Sequence, residues 1–444
     1  MKIISNNEID TFTRNNINKM QLLLLKKQLE YVCKKSNFYQ NKFKNAGVTP
    51  DDIKVINDIK KIPFTTKEEL RTFNDDFICV PNRKVVDIGA TTGTTGAPIL
   101  LPATMTDFKR LVGTYKRSFH AIGINRDDIV QLCVAFDQLF PIGITANATL
   151  KEMGATVVRM GPGNTKSQIE IMKRIRSSII FCSPDYMLTL AETAKKMGYD
   201  PRKDFHLRIG LYHGHPLFDR NNRPTILAKK VEEIWGIEGF SCYGSMEMFS
   251  GAFECKFHCG YHSHPDWLLL EIVDPETGEV RGDDQEGELV VTTLMREAIP
   301  VIRYRQGDIT RIQTDKCRCG KTSPRIMSIV GRANHQLRLK GTVVYPQQIE
   351  EILMREQEVS NFALEAYKDE NDCDALKILI GLQDRNRSVM ERITMNLKAR
   401  MRITPEIEIL SPQEIFKIWH RHGSRKPQKF LDRRSDSMTD RKHQ

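Results

Sequence analysis

Short apolar runs alternate with amphipathic stretches from Asp128 to Gly236, and this alternation restricts the fold more than any other feature of the sequence. The predicted strands are "DIVQLCVAF", "GATVVRM", "SSIIFCSP" and "LRIGLYHG", and the predicted helices are "SQIEIMKRIR", "YMLTLAETAKKMG" and "RPTILAKKVEEIWG". Strands that alternate with helices form parallel sheets covered by helices on their faces. The sequence therefore predicts a layered α/β fold.

Other patterns flank this region. Apolar residues at helical spacing from Met20 to Cys33 predict a helix. Strand-like runs joined by turn residues from Trp267 to Ile312 predict an antiparallel, β-rich part. The last hundred residues have the order strand, helix, strand, helix, which predicts a compact α+β unit. We expect a large domain over residues 1–330 and a small, mobile α+β domain over residues 331–444.

The 444 residues carry a formal net charge of +11, and cations are concentrated from Arg14 to Lys44. Such a run is typical of a solvated helix face, and attraction of a polyanion is the alternative. No segment approaches the roughly 20 apolar residues of a membrane span, and the N-terminus does not resemble a signal peptide. We therefore expect a cytoplasmic protein without a membrane partner, in which Cys33, Cys79, Cys133 and Cys182 are buried thiols.

The stretch "GATTGTTGAPI", from Gly89 to Ile99, is rich in glycine and threonine. Glycine lets backbone N–H groups approach an anion, and threonine adds hydroxyl donors. The two common phosphate-loop patterns, G-x-x-x-x-G-K-[ST] and G-x-G-x-x-G, are both absent. From the residues alone, the stretch is either an anion-binding loop or a turn between strands.

Potential metal ligands occur in two distant segments. "ECKFHCGYH" contains Cys255, His258, Cys259 and His262, and "CRCG" contains Cys317 and Cys319. Thiolates and imidazoles are the ligands of tetrahedral zinc, so the segments predict a structural zinc site. Reduced thiols without a metal are the alternative.

Four segments in a fixed order carry a resemblance to a known superfamily. They are "TTGTTGAP" (91–98), "YGSMEM" (243–248), "RYRQGDIT" (303–310) and "GRANHQLRLKGTVVYPQQIEEIL" (331–353). Together they resemble the adenylate-forming enzymes, which activate carboxylic acids with ATP. "NFYQNKFKNAGVTPDDI", "IPFTTKEELR", "SPDYML", "IVDPETGE" and "AIPVIRYRQGDIT" are similar to the phenylacetate–CoA ligase family in particular. The resemblance extends from about residue 20 to Asp432.

The resemblance implies an ATP- and Mg2+-dependent acid–thiol ligase that forms an acyl-adenylate and then transfers the acyl group to coenzyme A. It assigns the β- and γ-phosphates to Thr91, Thr92, Gly93, Thr94, Thr95 and Gly96. It assigns the adenine environment to Gly214, His215, Pro216, Cys242, Tyr243, Gly244, Ser245 and Met246, with Tyr243 stacked on the base. Glu247 would hold Mg2+, Asp308 would bind the ribose hydroxyls, and Arg332 would approach ribose or phosphate.

The resemblance also assigns roles in the C-terminal part. Lys426, in "GSRKPQKFLDRR", would be the catalytic lysine that neutralises charge on the α-phosphate, and Lys340 and Gly341 would lie beside the pantetheine arm of coenzyme A. Residues 331–335 would form the hinge of the small domain. Among the potential metal ligands, Cys255, His262, Cys317 and Cys319 resemble the zinc site of some family members, and His258 and Cys259 are the alternates.

The chain departs from the family pattern at several positions, which are Ala97, His215, Cys242, Asn334 and His335. Ala97 replaces a lysine and removes one cation from the expected pyrophosphate site. These departures indicate a divergent member of the family. The alternative is an inactive binding protein, for nucleic acid for example, that is stabilised by zinc. Retention of Glu247, Asp308 and Lys426 favours an enzyme.

The substrate is less defined. Phe136, Phe140 and Ile144 are candidate walls of an apolar pocket for an aromatic acid, and packing in the core is the alternative for these side chains. We expect a small carboxylic acid of the phenylacetate or benzoate type. The acceptor of the acyl group is expected to be coenzyme A or a carrier protein. The oligomeric state, monomer or homodimer, does not follow from the sequence.

Overall fold

The structure is a computed structural model that describes residues 9–91, 98–137, 139–339, 342–356, 358–369, 373–382, 387–401, 405–420 and 427–434. The chain divides into two compact units. The first consists of Met1–Gln306 with Thr310–Ile329, and the second of Gly307–Ile309 with Val330–Gln444.

The described helices of the first unit are α1 (Arg14–Lys35), α2 (Asn37–Ala46), α3 (Lys67–Thr72), α4 (Asn74–Phe77), α5 (Met105–Ala121), α6 (Ile142–Glu152), α7 (Thr165–Ile175), α8 (Pro184–Lys196) and α9 (Ile226–Trp235). Those of the second unit are α10 (Pro346–Leu353), α11 (Arg387–Met401) and α12 (Pro412–Trp419). Short 3₁₀ turns span Pro50–Asp52, Ile56–Lys61, Asn82–Lys84 and Ala333–His335. No helix in these ranges combines the length and apolar content needed to cross a bilayer.

The strands from β1 to β11 are β1 (Val85–Ala90), β2 (Leu100–Thr104), β3 (Ile129–Leu132), β4 (Thr156–Arg159), β5 (Ile179–Cys182), β6 (Ile209–Tyr212), β7 (Glu238–Ser245), β8 (Ser250–Phe253), β9 (Tyr261–His262), β10 (Leu268–Val273) and β11 (Gly287–Thr293). The remaining strands are β12 (Tyr304–Thr310), β13 (Ile312–Gln313), β14 (Arg325–Ile326), β15 (Gly331–Arg332), β16 (Leu337–Leu339), β17 (Thr342–Val344), β18 (Val359–Lys368), β19 (Asp374–Leu382), β20 (Glu406–Leu410) and β21 (Phe430–Asp432).

A mixed sheet of order β13-β14-β9-β8-β7-β6-β5-β3-β4 forms the centre of the first unit. Its segment from β4 to β7 is parallel, with Val130 opposite Ile179 and Ile179 opposite Ile209. Every residue of β5 and β6 is buried, as expected for strands covered on both faces. The predicted α/β layering and the parallel strands are confirmed.

Helix α1 is longer than predicted, because the Thr13 side chain accepts the Asn16 amide and starts the helix at Arg14. Its cations lie on an exposed face, as the charge pattern predicts. The opposite face buries two side-chain amides. Gln21 donates to the backbone carbonyls of Pro265 and Leu268, and Gln28 donates to the backbone carbonyl of Arg296. Polar side chains therefore fix this helix to the β-rich part of the unit.

Strands β10 and β11 form an antiparallel pair with Leu268 opposite Thr293, which confirms the prediction for this region. The ten cysteines are free thiols. Cys79, Cys133 and Cys182 are buried as predicted, and burial raises the pKa of Cys79 and Cys133 to about 12. Cys33 is only half-buried, so its prediction as a core thiol is wrong.

The second unit is built on a sheet of order β20-β19-β18-β21. Strands β18 and β19 form an antiparallel hairpin, whereas β20 and β21 run parallel to their neighbours. The predicted order strand, helix, strand, helix is too simple, because two consecutive strands, β18 and β19, stand between α10 and α11. The α+β character itself is as predicted.

Candidate active site

Glu247 lies in the turn between β7 and β8, with a buried side chain. The Tyr304 hydroxyl donates to Glu247 Oε1 at 3.1 Å, and Lys67 Nζ lies 4.0 Å from the same oxygen. The Glu247 backbone carbonyl accepts a hydrogen bond from Arg296 Nη1 at 2.8 Å. The carboxylate is therefore fixed at one oxygen and at its backbone, as a cation-binding acid requires.

Arg296 is fully buried, and its guanidinium carbon lies 4.5 Å from the centroid of the Phe249 ring. Burial lowers the pKa of Arg296 to about 10, so the side chain keeps its charge at neutral pH. Arg296 therefore places a positive charge beside the Glu247 backbone. The sequence did not predict Arg296, Tyr304 or Lys67, because each contacts Glu247 only through the tertiary fold.

Strand β7 carries four of the predicted adenine-site residues, Cys242, Tyr243, Gly244 and Ser245. The Tyr243 ring is half-buried against the main core. A Cβ atom on Gly244 would lie 2.5 Å from the Ser250 carbonyl oxygen, so glycine permits the close approach of β8. Burial raises the pKa of Cys242 to about 12, so its thiol is neutral.

The turn after β7 meets the end of β1. The Met246 side chain packs over Gly89, where a Cβ atom would lie 2.2 Å from Met246 Cε. The Ala90 amide donates to the Leu139 carbonyl at 2.9 Å. The structure thus brings the strand that enters the glycine- and threonine-rich stretch next to the predicted adenine site.

Several predicted site residues lie outside the described ranges. They are Thr92, Gly93, Thr94, Thr95 and Gly96 of the phosphate loop, Lys340 and Gly341 of the coenzyme A site, and the catalytic lysine Lys426. Thr91 is described: its side chain is buried, and its amide donates to the Ile99 carbonyl at 3.1 Å. The roles of the other residues stay predictions.

Gly214, His215 and Pro216 follow β6, and β6 runs parallel to β7. Gly214 has a φ of +87°, which explains glycine at this turn. His215 Nδ1 lies 3.9 Å from Asp185 Oδ1. Because the carboxyl ends of parallel strands share one edge of a sheet, this segment lies at the same edge as the end of β7, where open α/β sheets bind ligands.

Asp308 and Arg332 both belong to the second unit, where they are direct partners in the pairing of β12 with β15. Arg332 Nη1 donates to Asp308 Oδ1 at 2.8 Å. Gly307 has a φ of +77°, and a Cβ atom there would lie 3.1 Å from Arg332 Nη2. The structure therefore joins Asp308, predicted to bind ribose, to Arg332, predicted to approach ribose or phosphate, and the glycine leaves room for the guanidinium.

The three candidate pocket residues lie in different environments. Phe136 packs against the main core and Phe140 is half-buried, whereas Ile144 on α6 is exposed over 39% of its surface. For Phe136, the alternative of core packing is favoured. A shared role in binding an acid stays a prediction for the other two.

Cys255, His262, Cys317 and Cys319 form a compact cluster whose ligand atoms all lie within 4.8 Å of one another. The sulfur atoms of Cys255 and Cys317 are 3.8 Å apart, and Cys319 Sγ lies 3.5 Å from His262 Nε2. His262 Nδ1 is paired with the Ser323 hydroxyl at 3.0 Å, which orients Nε2 toward the thiols. Three thiols and one imidazole are a donor set that fits tetrahedral zinc.

The alternates His258 and Cys259 make other contacts. The His258 ring stacks between Phe218 and Phe240, with centroid distances of 4.8 and 5.0 Å. Burial opposes its protonation, but the carboxylates of Glu254 and Glu238 raise its pKa overall. Cys259 Sγ donates to the Phe257 carbonyl at 3.0 Å. Within the described residues, the candidate metal cluster therefore consists of the predicted Cys255, His262, Cys317 and Cys319 and does not include His258 or Cys259.

The loop that carries Cys317 and Cys319 also holds the start of the described chain. The Thr322 amide donates to the Asp10 carbonyl at 2.8 Å, and the Thr322 hydroxyl contacts the carbonyls of Asp10 and Phe12. Lys321 Nζ pairs with Asp10 Oδ2 at 2.7 Å. The candidate metal loop is therefore fastened to a segment from the opposite end of the first unit's sequence.

Comparison with known proteins places this geometry in a family. A family model described as the AMP-binding enzyme C-terminal domain matches residues 341–434. The phenylacetate–coenzyme A ligase of Pseudomonas putida is 32% identical over 380 residues, which cover 84% of this chain and 84% of the relative. The chain belongs to the phenylacetate–coenzyme A ligase family. The phenylacetate–coenzyme A ligase of Escherichia coli strain K12 is 31% identical over 86% of this chain and 87% of its own length.

Solved structures agree on the fold of this family member. A 2-hydroxyisobutyryl-CoA ligase in its postadenylation state, in complex with 2-HIB-AMP, superposes with a TM-score of 0.84 at 21% identity, covering 100% of this chain and 95% of the other. An anthranilate CoA ligase in complex with anthranoyl-AMP has a TM-score of 0.57 at 16% identity, over 74% of this chain and 65% of the other. The adenylate-forming fold and the family predicted from the ordered motifs are confirmed.

Proposed function

We propose that this chain is an AMP-forming acid–CoA ligase that uses ATP to activate a small aromatic carboxylic acid. The observation that carries the proposal is its similarity to several phenylacetate–coenzyme A ligases over most of its length. The convergence of the β6 and β7 carboxyl ends with Glu247 supports it, because this is where an α/β sheet binds a nucleotide.

The reaction has two steps. In the first, an oxygen of the acid attacks the α-phosphorus of ATP, the bond from this phosphorus to the bridging oxygen breaks, and pyrophosphate leaves. In the second, the sulfur of coenzyme A attacks the acyl carbon of the adenylate, the bond from this carbon to the AMP oxygen breaks, and the thiol proton goes to solvent. Negative charge gathers on phosphoryl oxygens in the first step, so positioning and charge stabilisation dominate catalysis.

We assign several of these functions to individual residues of the chain. Tyr243 stacks on adenine and Asp308 accepts hydrogen bonds from the ribose, with Arg332 holding the carboxylate in place at 2.8 Å. Glu247, oriented by Tyr304, would hold Mg2+, and the ion would supply charge that neutralises the phosphate oxygens. Lys67, 4.0 Å from Glu247, adds a second cation to this region. Lys426 stabilises the α-phosphate during the first step.

The Cys/His cluster is proposed to bind one structural Zn2+. Four protein ligands leave no open coordination position, so the ion would stabilise the fold and take no part in the chemistry. The ion would connect β9 to the loop before β14, and the hydrogen bond between His262 and Ser323 would fix the imidazole orientation.

Residues 331–335 are proposed as the hinge that lets the second unit act differently in the two steps. These residues form β15 and the 3₁₀ turn Ala333–His335. Coenzyme A is the proposed acceptor, and Lys340 and Gly341 are proposed to lie beside its pantetheine arm.

ATP–pyrophosphate exchange tests the adenylation step. Purified protein with Mg2+ is assayed with phenylacetate, hydroxybenzoates and aliphatic acids, and we expect exchange that depends on an aromatic acid. Glu247→Gln should lose at least about tenfold in exchange rate, because the amide cannot hold the cation. Glu68→Gln is the matched control, since Glu68 is exposed and pairs with Arg71.

Addition of coenzyme A tests the acceptor, with the acyl-CoA product detected by mass spectrometry. Exchange without thioester formation would contradict coenzyme A as acceptor and point to a carrier protein. Folded protein that binds ATP but supports no exchange with any acid in the panel would refute the proposed activity.

A further inference from the structure

Arg434, two residues beyond β21, contacts the backbone of Ala333–Gln336. This hinge segment contains residues 333–335 of the proposed hinge and the residue that follows them. Its Nη1 donates to the Gln336 carbonyl at 2.6 Å, and its Nη2 donates to the Asn334 carbonyl at 2.7 Å. The guanidinium also donates two hydrogen bonds to the Asp432 carboxylate, from Nε to Oδ1 at 2.8 Å and from Nη2 to Oδ2 at 2.6 Å. Asp374 Oδ2 lies 3.4 Å from Nη1. All of these groups belong to the second unit.

These contacts restrict the backbone directly. The direction of a carbonyl oxygen is set by the ψ angle of its own residue, so the two hydrogen bonds fix ψ at Asn334 and at Gln336. A planar guanidinium can satisfy both carbonyls and a carboxylate together, because its donors form a rigid fork. Burial would raise the pKa of Asp432, but its hydrogen bonds with Arg434 lower it overall, so the carboxylate stays ionised and orients the fork.

A second contact fastens the same segment. The His335 ring lies 4.8 Å from the Phe430 ring of β21, at an angle of 46°. Burial, together with the positive charge of Arg332, lowers the pKa of His335, so the ring is neutral at physiological pH and does not repel Arg434. Strand β21 is itself anchored beside β18, with Leu364 opposite Phe430 and Glu365 opposite Leu431.

We propose that Arg434 is a positioning residue that latches the hinge segment to β21 and thereby sets the ratio of the two half-reaction rates. The inference rests on the proposed two-step function. In the sequence, β21 begins four residues after Lys426, so one short strand connects the catalytic-lysine segment to the latch. A backbone rotation within Ala333–Gln336 between the steps would strain or break the bonds to Asn334 and Gln336, which ties the hinge equilibrium to Arg434.

The test compares Arg434→Ala and Arg434→Lys with the control Arg433→Ala, whose wild-type side chain pairs with Glu365 on β18. Pyrophosphate exchange reports the first half-reaction, and single-turnover transfer from preformed acyl-adenylate to coenzyme A reports the second. We expect the ratio of the two rates to change about tenfold in both Arg434 variants and less than about twofold in the control, given the strength of charge-assisted hydrogen bonds. Lysine keeps the charge but lacks the fork, so it should not restore the ratio.

Hydrogen–deuterium exchange on the full-length protein gives a readout that does not depend on activity. Amides of the hinge segment should exchange faster in both Arg434 variants and not in Arg433→Ala. An unchanged rate ratio together with unchanged exchange at the hinge would overturn the latch. If Arg434→Ala fails to fold, Arg434→Lys decides alone, because it keeps the pairing with Asp432. A wild-type protein without acid-dependent pyrophosphate exchange would refute the proposed function, while the hydrogen-exchange comparison would still test the latch.

Discussion

The Glu247 carboxylate owes its position to side chains supplied by different parts of the first unit. Tyr304 on β12 donates to one oxygen, Lys67 on α3 approaches the same oxygen, and Arg296 holds the backbone carbonyl. These contacts orient the buried carboxylate before any cation arrives, which lowers the free-energy cost of ordering the site on binding.

Tyr304→Phe tests this orientation. Loss of the 3.1 Å hydrogen bond to Glu247 should raise the Mg2+ concentration needed for half-maximal pyrophosphate exchange about three- to tenfold, as expected for one hydrogen bond to a charged group. Tyr31→Phe is a matched control, because its hydroxyl donates to the backbone carbonyl of Glu297 rather than to Glu247. An equal Mg2+ requirement in wild type and Tyr304→Phe would remove the tyrosine from the site.

Asp308→Ala tests the proposed ribose contact. The change removes the acceptor and leaves Arg332 without its 2.8 Å partner, so we expect ATP affinity to fall at least about tenfold. Isothermal titration calorimetry with ATP and Mg2+ measures the effect. Asp127→Asn, on an exposed turn, should bind ATP as wild type does. Unchanged affinity in Asp308→Ala would contradict the assignment.

At the scale of secondary structure, the Cys/His cluster joins segments that have little regular structure of their own. Strand β9 has two residues, and Cys317 and Cys319 lie in a loop between β13 and β14. These short elements end the central sheet, where few neighbouring strands are available to hold them. A metal ion at this point would replace missing backbone pairing with ligand bonds.

Removal of the metal should therefore loosen this end of the sheet. We expect one zinc per chain by elemental analysis, and a fall of about 5 °C or more in the thermal midpoint after treatment with a strong chelator. Cys319→Ser should lose the metal, whereas Cys259→Ser should keep it, because the Cys259 thiol contacts a backbone carbonyl instead. Retention of zinc in Cys319→Ser would show that the ligand set is wrong.

The sequence predicts elements and ligands best where the signal is local. Strands β3, β5 and β6 follow from apolar runs, and the closely spaced cysteines and histidines indicate a metal site. The antiparallel pairing of β18 with β19 is missed because both strands are apolar and only a short polar stretch of sequence separates them. The contact of Lys67 with Glu247 cannot be inferred from spacing, because it depends on how α3 packs against the turn after β7.

At the scale of the whole molecule, each unit has a hydrophobic core of its own. The first unit packs residues such as Phe181, Phe240 and Leu289 in its main cluster, and the second packs Leu364, Ile378 and Ile393. Separate cores allow each unit to fold with considerable independence. The second unit comprises residues 307–309 together with Val330–Gln444, and the domain limits expected from the sequence, 1–330 and 331–444, stay a prediction.

A chain that ends at Ile329 tests this independence. It should keep its far-UV circular dichroism signal, unfold cooperatively and retain the metal, because it contains the two core clusters described for the first unit. It should lose pyrophosphate exchange, since it lacks Arg332 and Lys426. Insolubility of this chain together with solubility of the full-length protein would contradict independent folding of the first unit.

The contact between Thr322 and Asp10 can form only late in synthesis of the chain. These residues are 312 positions apart, so the segment from Ile9 to Thr13 leaves the ribosome long before its docking loop exists. At roughly 5 to 20 residues per second, the wait is on the order of 15 to 60 s. During that interval, chaperones and proteases have access to this segment, and its protection from protease in stalled nascent chains should begin only once Thr322 has emerged.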